Sequence, residues 1–230
     1  MRKFIIRIAE LNVEINCKYD LTFNLCKNYI VESGKIDIIA SSTEEKIRKF
    51  SEGSSLEMGE FISLYDSIAS QLTSFNRVLI HGSAIEYHDL AYLFLADSGI
   101  GKSTHTKLWL ENIKGISVIN GDKPILDDMG NVYGTPWAGK ERWNTNKSSK
   151  VAGIVLLYRD SYNHIEETTY SENIADILNQ IYKDSKFDIS MSIIDKAFKN
   201  IPIYKLGCTI DPEAAFICFD KIIKDKNENK

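Results

Sequence analysis

A segment near the middle of the chain combines three structural signals: Leu93-Phe94-Leu95-Ala96-Asp97-Ser98-Gly99-Ile100-Gly101-Lys102-Ser103-Thr104. It opens with an apolar run that is typical of a buried β-strand. A loop containing two glycines follows, and the residues through Trp109 then suit a helix of about three turns. A strand that leads through a glycine loop into a helix is a recurring unit of proteins with mixed α/β architecture.

The composition of this loop suits the binding of a phosphate chain. Gly99 and Gly101 let backbone N–H groups approach phosphate oxygens closely, and the following helix adds unpaired N–H groups and the positive end of its dipole. Lys102 supplies a cation for the β- and γ-phosphates, and the Ser103 hydroxyl is placed to bind magnesium. The predicted nucleotide-binding residues are Ser98, Gly99, Ile100, Gly101, Lys102, Ser103 and Thr104.

One position departs from the usual spacing G-x-x-x-x-G-K-[ST], because Ala96 stands where the first glycine is expected. An alanine fits there if the strand is still extended at that residue. The alternative interpretation is a glycine turn with an incidental lysine. It does not explain why Gly101, Lys102 and Ser103 follow a buried strand at this spacing.

A second signal lies about 20 residues beyond the loop lysine, where magnesium bound to a triphosphate needs a carboxylate, directly or through water. The sequence there is Val118-Ile119-Asn120-Gly121-Asp122-Lys123, an apolar strand that ends in an acidic residue. Asp122 is therefore predicted to hold the metal together with Ser103. The alternative is a turn aspartate in a Gly-Asp pair.

Bulk composition sets limits on the class of protein. The chain has 230 residues, of which 43% are hydrophobic and 26% charged, so it is globular rather than disordered. Its net charge of -4 predicts neither nucleic acid nor a membrane as partner. The four cysteines form no C-x-x-C pair, which argues against zinc and disulfides. Arg7 and Glu10 interrupt the apolar start, so no signal peptide and a cytoplasmic location are expected.

The pattern along the chain divides it into three parts. We expect a small N-terminal α+β segment over residues 1–75, packed on a nucleotide-binding domain over 76–223, with a charged tail over 224–230. The fold class expected is mixed α/β, with a mixed sheet and flanking helices. The predicted elements of the first part are strands from Phe4 to Ile8, Leu11 to Ile15 and Ile36 to Ala40, and a core-facing helix from Glu57 to Leu72.

The second part is predicted to be richer in strands. A hairpin from Val78 to Ile85 and Tyr92 to Ala96 precedes the glycine loop. His105 is expected on the surface of the helix after the loop, and the alternative is that it approaches the nucleotide. Val151 to Tyr158 should be a central strand, with His164 to Thr168 returning beside it. Later helices are predicted to begin at a Ser171 cap and at Asp211-Pro212.

These residues, taken with His81-Gly82-Ser83, resemble the kinase domain of HPr kinase/phosphorylase, within the wider group of phosphoenolpyruvate-carboxykinase-like nucleotide-binding folds. The resemblance runs from about Leu79 to Tyr158. Residues 1–75 do not resemble the usual amino-terminal domain of that family. The chain is closer to small HPr-kinase-related proteins, which share Ser103-Thr104-His105-Thr106 and Tyr133-Gly134-Thr135-Pro136-Trp137. The resemblance implies ATP with Mg²⁺ and transfer of a phosphoryl group to a hydroxyl.

The resemblance also assigns residues to the active site. His81 matches the family's active-site histidine, and Asp122 matches the second of two adjacent aspartates. The first aspartate, which the family uses as catalytic base, is Gly121 in this chain. Metal binding is therefore expected, while the base is left open: Asp122 does both jobs, His81 assists, or catalysis is weak.

A polar cluster precedes the predicted central strand, Pro136-Trp137-Ala138-Gly139-Lys140-Glu141-Arg142-Trp143-Asn144-Thr145-Asn146-Lys147. A solvated loop rarely carries two tryptophans, so we interpret it as an active-site loop in which Lys140 or Arg142 steadies the transferring phosphoryl group. The alternative is a structural loop that packs its tryptophans. Arg159, at the end of the next strand, is a weaker candidate.

Three functions compete at this point. The first is an ATP- and Mg²⁺-dependent kinase whose acceptor is a hydroxyl of a protein, a peptide or a small molecule. The second is a nucleotide-binding sensor with little or no turnover, which Gly121 favours. The third, a carboxykinase acting on oxaloacetate, is disfavoured by the short chain. The oligomeric state and the choice between ATP, another triphosphate and pyrophosphate are left open.

Overall fold

The computed structural model describes residues 1–183 and 186–228, whose strands form two sheets. The first sheet belongs to the N-terminal segment and has the order β3-β1-β2-β4. Its β2–β4 pair is parallel, and its other pairs are antiparallel. The elements are β1 (Arg2–Ile8), β2 (Leu11–Cys17), α1 (Asp20–Cys26), β3 (Ile30–Val31), β4 (Ile38–Ala40), α2 (Glu44–Phe50) and α3 (Leu56–Leu72). The predicted strands and the long helix are confirmed, whereas α1 and α2 were not predicted.

The second sheet follows α3 and has the order β5-β9-β10-β11-β7-β6-β8, with β13 beside β11 and β12 beside β13. Its elements and their helices are β5 (Arg77–Leu79), β6 (Gly82–Tyr87), β7 (Leu90–Leu95), α4 (Lys102–Asn112), β8 (Ser117–Asn120), β9 (Ile125–Asp127), β10 (Asn131–Tyr133), β11 (Ser148–Arg159), β12 (His164–Thr168), α5 (Ile174–Asn179), α6 (Phe187–Phe198), β13 (Ile203–Cys208) and α7 (Glu213–Glu228). Parallel and antiparallel pairs occur together in this sheet, so the sheet is mixed. With its helices it gives the mixed α/β fold that was predicted.

The central position of β11 decides where the loops gather. It runs parallel to β7 on one side and to β13 on the other. Leu95 therefore pairs with Leu156, and Arg159 pairs with Cys208, near the carboxyl ends of the three strands. The loops that leave these ends meet at one edge of the sheet, which is the usual place for a ligand in α/β proteins.

Both faces of the second sheet are buried. Leu93 and Leu95 lie in a core with the helices α5 and α6, and Phe94 lies on the opposite face with α4 and α7. A third core joins the N-terminal segment to the sheet, because Leu64 of α3 and Ile125 of β9 belong to the same cluster. No helix within the described residues is long and apolar enough to cross a membrane.

Several local expectations are wrong. The run from Val78 to Ile85 splits into β5 and β6, because the His81 N–H donates to the Gln180 carbonyl instead of to a neighbouring strand. The strand β12 lies beside β13 rather than β11, since the unpredicted β13 occupies that edge. Helix α5 begins after Asn173, not at Ser171. Helix α7 continues to Glu228, beyond the expected boundary at 223, and residues 229–230 lie outside the described part.

Candidate functional site

The glycine loop connects the end of β7 to the start of α4, in the predicted order. Gly99 has φ +84° and Gly101 has φ +130°, a region that residues with a Cβ rarely adopt. Gly101 directly precedes the first residue of α4. The first turn of α4 therefore brings unpaired N–H groups to the loop, with no side-chain cap on them, as anion binding requires.

Lys102 is buried beneath this loop. Its Nζ atom donates to the Ala96 carbonyl at 2.5 Å and to the Asp97 carbonyl at 3.4 Å, and the residue is only 8% exposed. Burial lowers the pKa of the ammonium to about 8, although the Asp122 carboxylate opposes the shift. The site thus holds a poorly solvated cation, which an anionic ligand would stabilise.

Asn120 shapes the turn that carries Asp122. Its amide nitrogen donates to the Thr135 carbonyl, and its Oδ1 accepts from the backbone N–H groups of Asp122 at 2.9 Å and Lys123 at 2.7 Å. The Gly82 N–H also donates to the Asp122 carbonyl at 3.0 Å. The buried Asn120 therefore fixes the backbone on which the predicted metal ligand stands.

Asp122 is surrounded by basic groups. Its Oδ1 lies 3.4 Å from His81 Nε2 and 3.9 Å from Lys123 Nζ. Burial raises the pKa of this carboxyl, but the hydrogen bond from His81 and the charges of Lys123, His81 and Lys102 outweigh it, so the net pKa lies below its ordinary value. Asp122 is consequently ionised at neutral pH, as a metal ligand or a general base must be.

A cavity of about 390 Å³, here called the phosphate cavity, brings most of the predicted site residues together. Its volume is in the usual range for small-molecule sites. Ile100 and Arg142 are the two predicted site residues that do not line it. Its walls are His81, Ser98, Gly99, Gly101, Lys102, Ser103, Thr104, Gly121, Asp122, Gly139, Lys140 and Glu141.

A second cavity of about 540 Å³ adjoins it, and we call it the apolar cavity. The two cavities share Asp122, Gly139 and Lys140. Most other walls of the apolar cavity are hydrophobic side chains of α3 and of the segment 136–138, and Arg142 and Lys123 lie among them. A group that enters the apolar cavity therefore meets the phosphate cavity at the Asp122 carboxylate.

Trp137 ties this region to the N-terminal segment. Its indole stacks on Phe61 with ring centroids 5.3 Å apart, and its Nε1 donates to the Phe61 carbonyl at 3.0 Å. Trp137 is only 6% exposed. This burial agrees with the alternative interpretation of the loop, in which its tryptophans pack. Lys147 pairs with Glu86 and lines neither cavity. Of the cations in the polar cluster, Lys140 and Arg142 are the ones that reach these cavities.

Sequence reasoning missed several residues of this region. Gly139 and Lys123 carry no distinctive local pattern, although both border Asp122. Phe61 and Tyr65 fit the apolar stripe of α3, yet they also line the apolar cavity. The expectation that His105 is a surface residue is wrong, because its ring packs against Phe94 and the residue is 2% exposed. Spatial proximity of distant segments identifies all of these residues except Lys123, which directly follows Asp122 in the sequence.

The predicted donors for magnesium, the Ser103 hydroxyl and the Asp122 carboxylate, line one cavity. Among the described residues, no group of three or more His, Cys, Asp or Glu side chains could hold a metal by itself. Mg²⁺ in phosphoryl-transfer sites usually takes one or two carboxylates and completes its shell with substrate phosphates and water. These two residues fit a metal that arrives with a triphosphate.

Comparisons with known proteins add little to this picture. No family model matches the chain, and no curated protein matches it. Among solved structures, the chain is similar to the HPr(Ser) kinase/phosphatase from Coxiella burnetii, with 10% sequence identity and a TM-score of 0.36 over 66% of this chain and 94% of that chain. Likeness at this level transfers no residue's role, so the chemistry of the site follows from its own side chains.

Proposed function

We propose that this chain is an ATP- and Mg²⁺-dependent kinase that transfers the γ-phosphoryl group to a hydroxyl acceptor. The observation that carries the proposal is the junction of the two cavities, which share Asp122, Gly139 and Lys140. A phosphate chain on the glycine loop and an acceptor in the apolar cavity would meet at that junction. Such positioning, with charge neutralisation, is most of what phosphoryl transfer requires.

Each residue in this proposal has a distinct task. The loop from Ser98 to Thr104 binds the phosphates, and Lys102 offsets their charge. Asp122 and Ser103 hold Mg²⁺, which would neutralise charge on the phosphates when bound. Lys140 steadies the transferring group, because it alone of the two candidate cations borders the phosphate cavity. Arg142 faces the acceptor, since it borders the apolar cavity.

Two residues bear on the fate of the acceptor's proton. Asp122 is ionised and stands at the junction, so it accepts the proton directly if it is not saturated by the metal. His81 lies 3.4 Å from Asp122 and lines the phosphate cavity, so it orients that carboxylate. We assign Asp122 as base and metal ligand and His81 as the residue that positions it.

A sensor with little turnover remains the second candidate, and Gly121 is the observation that favours it. A Cβ at this position would lie 3.3 Å from the Ala138 carbonyl oxygen and 3.4 Å from Trp143 Cβ. The packing therefore leaves little room for a second carboxylate beside Asp122. A protein that binds ATP without a dedicated base would show slow transfer or none.

One measurement separates the two functions. Consumption of ATP labelled at the γ-phosphate is followed with Mg²⁺, alone and with a panel of amino acids, sugars and serine peptides. A kinase transfers the label to at least one acceptor, and the Asp122→Ala protein does not. If the protein binds Mg-ATP but neither transfers label to any acceptor nor hydrolyses ATP, the sensor function becomes the better account.

The wider assignments are proposals of the same kind. We propose a phosphoenolpyruvate-carboxykinase-like P-loop domain over residues 76–223, with the segment 1–75 forming one wall of the acceptor site through α3. We propose a cytoplasmic location, where ATP is available and the thiols of the four cysteines stay reduced. Limited proteolysis that leaves 76–223 folded but inactive would support this division.

A further inference from the structure

A third cavity of about 400 Å³ lies on the other side of the glycine loop. It is bounded by α4 and by the residues that end β11 and β13, and it shares Gly99, Gly101 and Thr104 with the phosphate cavity. None of the roles given above uses this cavity. A ligand whose phosphates occupy the loop has room here for the rest of the molecule.

His105 lines this cavity and holds an unused hydrogen-bond donor. Trp109 Nε1 donates to His105 Nε2 at 2.9 Å, so Nε2 is an acceptor and the ring proton sits on Nδ1. Nδ1 has no hydrogen-bond partner among the described residues, and the side chain is buried. Burial lowers the pKa of the ring to about 3, which keeps it neutral. A buried donor without an acceptor costs stability that a ligand acceptor recovers.

The other walls combine apolar side chains with the polar side chains of Asp160, Cys208 and Thr209. Ile100 and Ile210 supply apolar surface, and Ile210 is 79% exposed, far more than is usual for an isoleucine. The guanidinium of Arg159 is held in place by the carbonyls of Gly99 and Ile100. Its charge is thereby partly offset, while a planar group remains available for stacking.

We infer that this third cavity binds the nucleoside of the phosphoryl donor, with His105 Nδ1–H donating to a ring nitrogen or carbonyl of the base. This rests on the proposed function, and it selects a nucleoside triphosphate over an inorganic phosphate chain such as pyrophosphate, which the sequence left open. Ile100 and Ile210 contact the faces of the base. Arg159 holds the glycine loop beside the cavity through its hydrogen bonds to the loop carbonyls.

Calorimetric titration with Mg-ATP and with magnesium tripolyphosphate tests this inference. Wild-type protein should bind Mg-ATP at least roughly tenfold more tightly, because the polyphosphate makes only the loop contacts. His105→Phe keeps a flat ring but removes both the Nδ1 donor and the acceptor of Trp109 Nε1, so its melting temperature is measured alongside. Ile210→Asn removes exposed apolar surface with little risk to folding. Both should reduce that preference while leaving the polyphosphate affinity within about twofold.

Two controls make the result specific. Met129→Asn changes another exposed apolar residue, in the turn between β9 and β10, and should leave the preference unchanged. The Nδ1 resonance of ¹⁵N-labelled His105 should shift on addition of ATP and not of tripolyphosphate. Equal affinity of the wild type for both ligands overturns the nucleoside cavity alone. Binding of neither ligand overturns the phosphate site and this inference together.

Discussion

The Nε2 atom of His81 lies 3.4 Å from the Oδ1 atom of Asp122, although the two residues come from separate segments, between β5 and β6 and after β8. The contact places a basic group beside the carboxylate that both cavities share. It helps to hold the pKa of Asp122 below its ordinary value. The ionised carboxylate therefore stabilises the folded state at neutral pH, and this contribution is lost as the pH falls below about 3.8.

Asp122→Asn should weaken nucleotide binding mainly when magnesium is present. The amide cannot offset the charge of the metal, while the loop still binds the phosphates. Titration with ATP in the presence of Mg²⁺ and in EDTA measures the two cases. The control is Asp128→Asn, which removes a carboxylate that pairs with Lys196 at 3.8 Å. Equal losses with and without Mg²⁺ would make Asp122 a residue of the turn only.

Lys102→Met should abolish tight Mg-ATP binding without unfolding the protein. The variant removes a cation that burial makes costly, so the melting temperature should stay the same or rise. Lys107→Met is the matched control, because Lys107 lies on the same helix, is exposed and pairs with Glu111. If calorimetry shows unchanged ATP affinity in folded Lys102→Met protein, the loop does not bind the phosphates.

ATP affinity should fall as the pH rises above about 8, the pKa of Lys102. The ammonium is protonated below that pH and attracts the phosphates, and the neutral amine above it does not. The affinity decreases by at most about tenfold for each pH unit. Lys102→Arg keeps its charge over this range, so its affinity should stay flat between pH 7 and 10. A parallel decline in both proteins would assign the effect to another group.

The local parts of this fold were predictable from the sequence. The strand before Asp97, the glycine loop and the helix through Trp109 each have a pattern that neighbouring residues determine. The strand order was not predictable, because β13 enters the sheet from far along the chain and takes the edge expected for β12. Short strands such as β5 are ambiguous by periodicity alone.

The residues of the candidate site also fall into a group that the sequence predicts and a group that it does not. The spacing around Lys102 and the acidic end of β8 selected residues that the structure brings together around one cavity, since each pattern depends on local order. The contribution of Phe61 and Tyr65 could not be predicted, because a helix stripe that faces a core and one that lines a cavity have the same pattern. His105 was misjudged for a similar reason: its burial depends on Phe94 and on α7 packing over Trp109.

Gly139→Ala should impair the site more than it impairs the fold. Gly139 has φ +74°, and a Cβ there would lie 3.2 Å from the Asp122 Cβ. Gly53 has the same φ of +74° with no described atom within 4 Å of a Cβ, so Gly53→Ala reports backbone strain alone. Both variants should lose about 1 kcal/mol of unfolding free energy in urea titration. Gly139→Ala alone should weaken Mg-ATP binding; equal binding in both would separate Gly139 from Asp122.

Lys140→Ala and Arg142→Ala should have different kinetic effects, because the two residues border different cavities. Lys140 is exposed at the edge of the phosphate cavity, and it can meet charge that develops on the transferring group. Loss of such a cation costs a factor of about 10³ in rate. It contributes far less to ground-state binding, so ATP affinity should stay within a few-fold.

Arg142→Ala should instead raise the KM for the acceptor with a smaller effect on kcat, since Arg142 lines the apolar cavity and not the phosphate cavity. Its φ of +54° is unusual for a residue with a side chain, so Arg142→Gly tests the charge without backbone strain. Lys114→Ala, at an exposed position after α4, is the control.

Turnover means label transfer to the acceptor, or slow ATP hydrolysis where no acceptor is found. If Lys140→Ala lowers ATP affinity and keeps the rate per bound ATP, Lys140 contacts the nucleotide in its ground state. If neither variant changes turnover, no cation of this loop acts on the transferring phosphoryl group, and the sensor becomes the better account of the function.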